Sequence, residues 1–117
     1  MSITIYHNPA CSTSRKVLGL LRDGGHEPQV IEYLKTPPTR KVLQDLLTKM
    51  GMTPRDVLRQ RGSLYDELGL AAPGVTDAAI LDAIGQHPIL MERPILVTEK
   101  GVRLCRPVEK MNEIMPG

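Results

Sequence analysis

Two short strand-like stretches separated by one amphipathic helix restrict this chain more than any other feature of it. Ser2 to Tyr6 is β-branched and aromatic, and Gln29 to Tyr33 has the same character. Between them Val17, Leu18, Leu20 and Leu21 recur at helical spacing from Ser12 onward, and Gly24-Gly25 supplies the stop. A crossover helix between two such strands implies parallel pairing, so the chain is expected to open with a βαβ unit.

Beyond it, Thr36-Pro37-Pro38 opens a second helix through Val42, Leu43, Leu46 and Leu47, which Gly51 ends. Thr53-Pro54-Arg55-Asp56 and Ser63-Leu64-Tyr65-Asp66 each set an N-cap residue three positions ahead of an acid. Thr76 to Gln86 is apolar at Ala79, Ile80, Ala83 and Ile84. Nothing from Met52 to His87 reads as strand, so a helical insertion is expected at about 52–87. Pro94 to Thr98 then reads as a strand, Glu99-Lys100-Gly101 as a turn and Val102 to Cys105 as a returning strand. Pro107 to Met115 reads as a terminal helix. The order βα, βα, helices, ββα describes an α/β chain with one domain over residues 1–117.

Composition narrows the function. With no Phe or Trp and three Tyr, the core must rest on Leu, Ile, Val and Met. A formal charge of +2 gives no basis for nucleic-acid or membrane binding, so any anion site must come from local placement of charge. No apolar run approaches the ~18 residues of a membrane span. The opening MSITIYHNPA lacks a basic segment followed by a long apolar one, so no secretory signal is expected. Cys11 and Cys105 are then expected to be reduced thiols in a cytoplasmic protein.

Cys11 stands in HNPACSTSR, where the first strand stops and the first helix starts. A helix N-terminus offers unpaired N–H groups and the positive end of the dipole, which favour thiolate, the nucleophilic form. The same groups form an anion cradle, to which Ser12, Thr13 and Ser14 add hydroxyls and Arg15 a charge. The plainer reading is a small buried cysteine beside ordinary capping residues. His7 reads either as a strand-end surface residue or as a support for the thiolate, and Asn8-Pro9 as turn chemistry. Ser14 occupies the place where a Cys-x-x-Cys pair would carry its second thiol. A redox cycle at Cys11 therefore needs an outside thiol.

Arg93-Pro94 and Arg106-Pro107 bracket the last two strands. A turn centred on Glu99-Lys100 sets Arg93 opposite, or nearly opposite, Arg106. Two like charges side by side are unfavourable unless an anion lies between them, and arginine forks suit tetrahedral oxyanions. The alternative is that both guanidiniums reach solvent or pair with Glu92 and Glu109. Arg55, Arg59 and Arg61 are further candidates, and spacing does not choose among them.

HNPACSTSR after a first strand, HPILMERPILVT and GVRLCRP near the end, and TPRDVLRQRG and YDELGL between them resemble the glutaredoxin-coupled bacterial arsenate reductases. The likeness runs through essentially the whole chain. It implies a thioredoxin-like (glutaredoxin-like) fold: a mixed four-stranded sheet with flanking helices and a helical insertion. It implies Cys11 as nucleophile, with His7 and Ser14 supporting its thiolate. Arg59, in VLRQ, would be the first of three oxyanion-binding arginines, with Arg93 and Arg106 the others, and Pro94 a cis proline. Cys105 would not be essential. Arsenate would be the substrate, glutathione the co-substrate and a glutaredoxin the protein partner of a monomeric enzyme.

No metal or bound organic cofactor is expected, since His7, His26 and His87 stand far apart with no metal-ligand spacing. Two other functions compete. A glutathione-dependent thiol/disulfide reductase without arsenate specificity would need Cys11 but not the arginines. A redox-sensing regulator that binds RNA polymerase, as relatives on the same fold do, would typically carry Cys-x-x-Cys, and Ser14 argues against that.

Overall fold

The computed structural model describes residues 2–115, which form two compact units. The first comprises the described residues up to Thr36 and from Arg93 onward, and the second is Pro37–Glu92.

In the first unit, β1 (Thr4–His7), α1 (Ser12–Asp23) and β2 (Gln29–Glu32) are followed, after the second unit, by β3 (Ile95–Thr98) and β4 (Gly101–Leu104). The sheet order is β2-β1-β3-β4. β1 and β2 are parallel, with His7 opposite Glu32, and the other two pairings are antiparallel. This is the mixed four-stranded sheet that the resemblance implies. Ile5 and Leu96, cross-strand partners, are fully buried against Val17, Leu18 and Leu21 of α1 and against Met111 and Ile114. Each such side chain contributes about 1.5–3 kcal/mol by leaving water. The buried stripe of α1 is Ser14, Val17, Leu18 and Leu21, at steps of three and four. Leu20 falls off that stripe and is exposed, contrary to the four-residue apolar face expected.

The hairpin turns on two residues, Glu99 and Lys100, and Gly101 already belongs to β4. Its φ of 151° suits glycine, and a Cβ there would lie 3.3 Å from Arg103 Nη1 and 3.4 Å from Ile114 Cγ2. The terminal element is a 3₁₀ helix, Val108–Glu113, rather than the α-helix expected from Pro107 to Met115. Val108, Met111 and Ile114, which pack on the core, recur every three residues, the 3₁₀ period.

The second unit holds α2 (Arg40–Met50), a 3₁₀ turn at Pro54–Val57, α3 (Ser63–Glu67), α4 (Asp77–Gln86) and a 3₁₀ turn at Pro88–Leu90. Thr39 caps α2 through its side chain, so Pro37 and Pro38 lie ahead of the cap instead of inside the helix. Gly51, at φ 67°, ends α2 in the left-handed conformation. The Thr53–Asp56 capping box forms as the spacing predicts. The Ser63 cap does not: Gly62, at φ 90°, holds the cap position and Ser63 is the first helical residue. Leu43, Leu46 and Leu47 of α2 and Ile80, Leu81 and Ile84 of α4 are buried, and the two helices pack together. The stretch read as free of strands carries one bridge residue, Leu58, paired with Met91.

Candidate active site

Between β1 and α1 runs a link of four residues, Asn8 to Cys11. Cys11 is the N-cap of α1, in extended conformation, and its side chain does not cap the helix. The first intrahelical bond runs from Arg15 N–H to the Cys11 carbonyl. The amides of Ser12, Thr13 and Ser14 therefore have no acceptor within the helix. The backbone groups of Ser14 and Thr13 favour the charged form of the Cys11 sulfur.

Burial pushes the Cys11 thiol up. The Ser14 and Thr13 amides, followed by the charges of Arg93 and Arg106, outweigh it and leave the pKa below the ordinary thiol value. Cys11 is partly exposed, so the sulfur is reachable. The plainer reading of a fully buried cysteine does not describe this residue.

Ser14 has no exposed surface, because it continues the apolar stripe of α1 one turn toward the N-terminus. Its hydroxyl oxygen is 2.6 Å from His7 Nδ1 and accepts the Asn8 N–H at 3.0 Å. His7 is buried at the end of β1, not a surface residue. Burial lowers its pKa, Glu32 opposes the shift, and Arg22 and Arg15 reinforce it. Arg15 lies on the exposed side and donates to the Pro9 carbonyl at 2.9 Å, closing the link from outside.

The hairpin register pairs Ile95 with Leu104 and, extended by two residues, sets Arg93 opposite Arg106. Both X–Pro bonds that follow these arginines are cis, Arg93–Pro94 as the resemblance implies and Arg106–Pro107 in addition. Arg93 is only 3% exposed, so it does not reach solvent. Arg106 Nη1 donates to the Arg93 carbonyl at 3.1 Å. The two residues are thus joined by a hydrogen bond from side chain to backbone, and both charges act on Cys11.

Arg59 belongs to the second unit. It lines a pocket of about 250 Å³ with Arg61, Gly62, Ser63, Leu64, Ile89 and Leu90. Arg55 donates to the Leu70 carbonyl at 3.1 Å, and Arg61 pairs with Glu92 at 3.0 Å. Among the described residues, no hydrogen bond or ion pair engages the Arg59 guanidinium. This distinguishes three arginines that spacing leaves equivalent.

Cys105 is fully buried in the first unit's core, and burial pushes its thiol up to about 12. Among the described residues, no group of three or more His, Cys, Asp or Glu side chains could hold a metal ion, and no helix is long and apolar enough to cross a membrane. Two buried polar residues beside the site, Asn8 and Tyr33, are joined at 3.5 Å. The sequence marks Asn8 only as a turn former and Tyr33 only as a strand residue.

The profile of the ArsC family matches residues 6–114. An arsenate reductase of Escherichia coli strain K12 is 53% identical over 115 residues, which span 98% of this chain and 82% of that protein. An arsenate reductase of Rhizobium meliloti is 48% identical over 116 residues, 99% of this chain and 83% of its own length. The solved arsenate reductase from Vibrio cholerae superposes with a TM-score of 0.92 at 43% identity, covering 98% of each chain. Its likeness extends through both units, and the sheet is the thioredoxin-like one. A thiol at a helix mouth facing two hairpin arginines thus sits within a sequence that follows one family almost from end to end, and the chain belongs to the ArsC family.

Proposed function

We propose that this chain reduces arsenate to arsenite through a covalent Cys11–arsenic intermediate, with glutathione and a glutaredoxin supplying the electrons. The observation that carries the reading is the convergence on one reachable thiol of two first-turn amides and the charges of Arg93 and Arg106. The names of the relatives support arsenate as the oxyanion. The unengaged guanidinium of Arg59 supports its assignment as the third arginine of the anion site.

In this reading the first-turn amides and Arg59, Arg93 and Arg106 hold the tetrahedral dianion through charge-assisted hydrogen bonds. The Cys11 thiolate attacks arsenic, an S–As bond forms, and one oxygen leaves as water after taking up protons. The arginines and amides stabilise the charge that builds on the remaining oxygens. His7 and Ser14 support the thiolate. A glutathione thiolate then displaces a second oxygen as water. A glutaredoxin thiolate attacks the glutathione sulfur, a mixed disulfide leaves, and the As–S electron pair stays on arsenic, reducing As(V) to As(III). Water releases arsenite and restores Cys11. Ser14 cannot close a disulfide with Cys11, so both electrons come from outside thiols.

The enzyme is read as a monomer of the cytoplasm, where such thiols stay reduced, with no bound metal or organic cofactor. The test is arsenate-dependent oxidation of NADPH, coupled through glutathione reductase, glutathione and a glutaredoxin. Saturable turnover that disappears in Cys11→Ser is the expected result. No turnover, with Cys11 still taking up glutathione, would replace this reading with a thiol reductase that lacks arsenate specificity.

A further inference from the structure

Every backbone donor in the link from β1 to α1 begins or ends on one residue. Pro9 has no N–H. The Asn8 N–H donates to Ser14 Oγ at 3.0 Å. The Ala10 N–H donates to Asn8 Oδ1 at 2.9 Å, and the Cys11 N–H donates to the Asn8 carbonyl at 3.0 Å. The last polar group of Asn8, its side-chain nitrogen, reaches the Tyr33 hydroxyl at 3.5 Å.

Asn8 is 3% exposed and Tyr33 not at all. An asparagine needed only for a turn gains nothing from burial, and burying an amide and a phenol is unfavourable unless both are bonded. Tyr33 follows directly on β2, the parallel neighbour of β1, so the contact ties the link to the adjacent strand end. With Ala10 and Cys11 N–H closed on Asn8, the amides left to face a sulfur or an oxyanion are those of Ser12, Thr13 and Ser14.

We propose that Asn8, held by Tyr33, is a positioning residue for the chemistry at Cys11: it fixes the link so that the first-turn amides face the sulfur and its oxyanion. The proposal rests on the reading of Cys11 as the nucleophile. A looser link would let the cradle and the thiolate drift apart, and misplacement on the scale of an ångström costs about 100-fold in rate.

The test compares Asn8→Ala, Asn8→Ser and Tyr33→Phe by two measurements on the full chain. One is kcat for arsenate in the coupled assay. The other is the pH midpoint of Cys11 alkylation by iodoacetamide, which needs no arsenate. Around Cys11 the charged and titratable groups His7, Arg15, Arg93 and Arg106 are the same in all variants, so a shifted midpoint reports the amides. Asn8→Ala should lower kcat about 10- to 100-fold and raise the midpoint by about one unit. Tyr33→Phe, which keeps the ring in the core, should move both in the same direction by less. Asn8→Ser, whose hydroxyl can still accept the Ala10 N–H, should recover part of the loss.

A folded Asn8→Ala protein with the parent's midpoint and kcat overturns the proposal. If Asn8→Ala does not fold, Tyr33→Phe decides: parental values overturn the proposal, and a raised midpoint with lowered kcat supports it. A parent without arsenate turnover removes the functional reading alone, because the alkylation comparison still stands.

Discussion

His7 Nδ1 and the Ser14 hydroxyl oxygen lie 2.6 Å apart, and both residues are buried. The bond joins the end of β1 to the first turn of α1, across the link that carries Cys11. Removing the hydroxyl leaves the imidazole and the Asn8 N–H without this partner. Ser14→Ala should therefore lose about 1–3 kcal/mol of stability, as buried groups stripped of a partner do. It should also slow arsenate turnover. Urea unfolding read alongside the coupled assay checks both.

A thiol held below its ordinary pKa by backbone amides and two arginines should react at neutral pH. The alkylation midpoint of Cys11 should fall below the value of about 8.5 for an unperturbed cysteine. The thiolate's contribution to stability is fully present above that unfolded value and is lost as pH falls through the folded one. Arg106→Ala should raise the alkylation midpoint, since it removes one of the two arginine charges acting on the sulfur.

Arg93→Lys separates charge from shape. A lysine keeps the positive charge but loses the planar fork that matches an oxyanion. The expected result is an arsenate KM raised about tenfold, with the rate of Cys11 alkylation within about twofold of the parent. Unchanged KM would take Arg93 out of the anion site.

The buried imidazole of His7 gives the fold an acid sensitivity of definite sign. Burial, ahead of the other influences, lowers its pKa. Near pH 6 the unfolded chain therefore binds more protons than the folded one. Its contribution to stability is complete above about pH 6.5 and is lost as pH falls through that value toward the folded pKa. The urea midpoint of the parent should drop more between pH 7.5 and 5.5 than that of His7→Gln.

Cys105 should be silent. Its thiol, pushed up to about 12 and fully buried, will not react in the native protein. One thiol should titrate in the folded chain and two in urea. Cys105→Ala should keep arsenate turnover while costing about 1 kcal/mol of stability from the small cavity it leaves.

How much of this was legible in the sequence differs from residue to residue. The position of Cys11 followed from a strand, a stop and an apolar helical stripe. The opposition of Arg93 and Arg106 followed from two prolines and a two-residue turn. Both are local patterns. The role of Ser14 was half legible: its hydroxyl in place of a thiol could be read, but its burial depends on the stripe that also contains Val17, Leu18 and Leu21. Asn8 looked like any turn residue, because its contact with Tyr33 is 25 positions away. Gly62 took the cap expected of Ser63 because a glycine at φ 90° turns the chain one residue earlier. The 3₁₀ helix at Val108–Glu113 was visible as a period of three, which the reading of Pro107 as a helix start concealed.

The hairpin turn carries a consequence for the other end of the hairpin. Arg93 and Arg106 face each other only because Thr98 pairs with Gly101 across two residues. A slip of one residue would carry Arg106 about 3.3 Å along its strand and reverse the side on which it emerges. Inserting a single residue between Glu99 and Lys100 should therefore widen the arginine pair without touching it. The solvent-exposed turn acts as the gauge that sets how the two arginines meet at the far end of the hairpin.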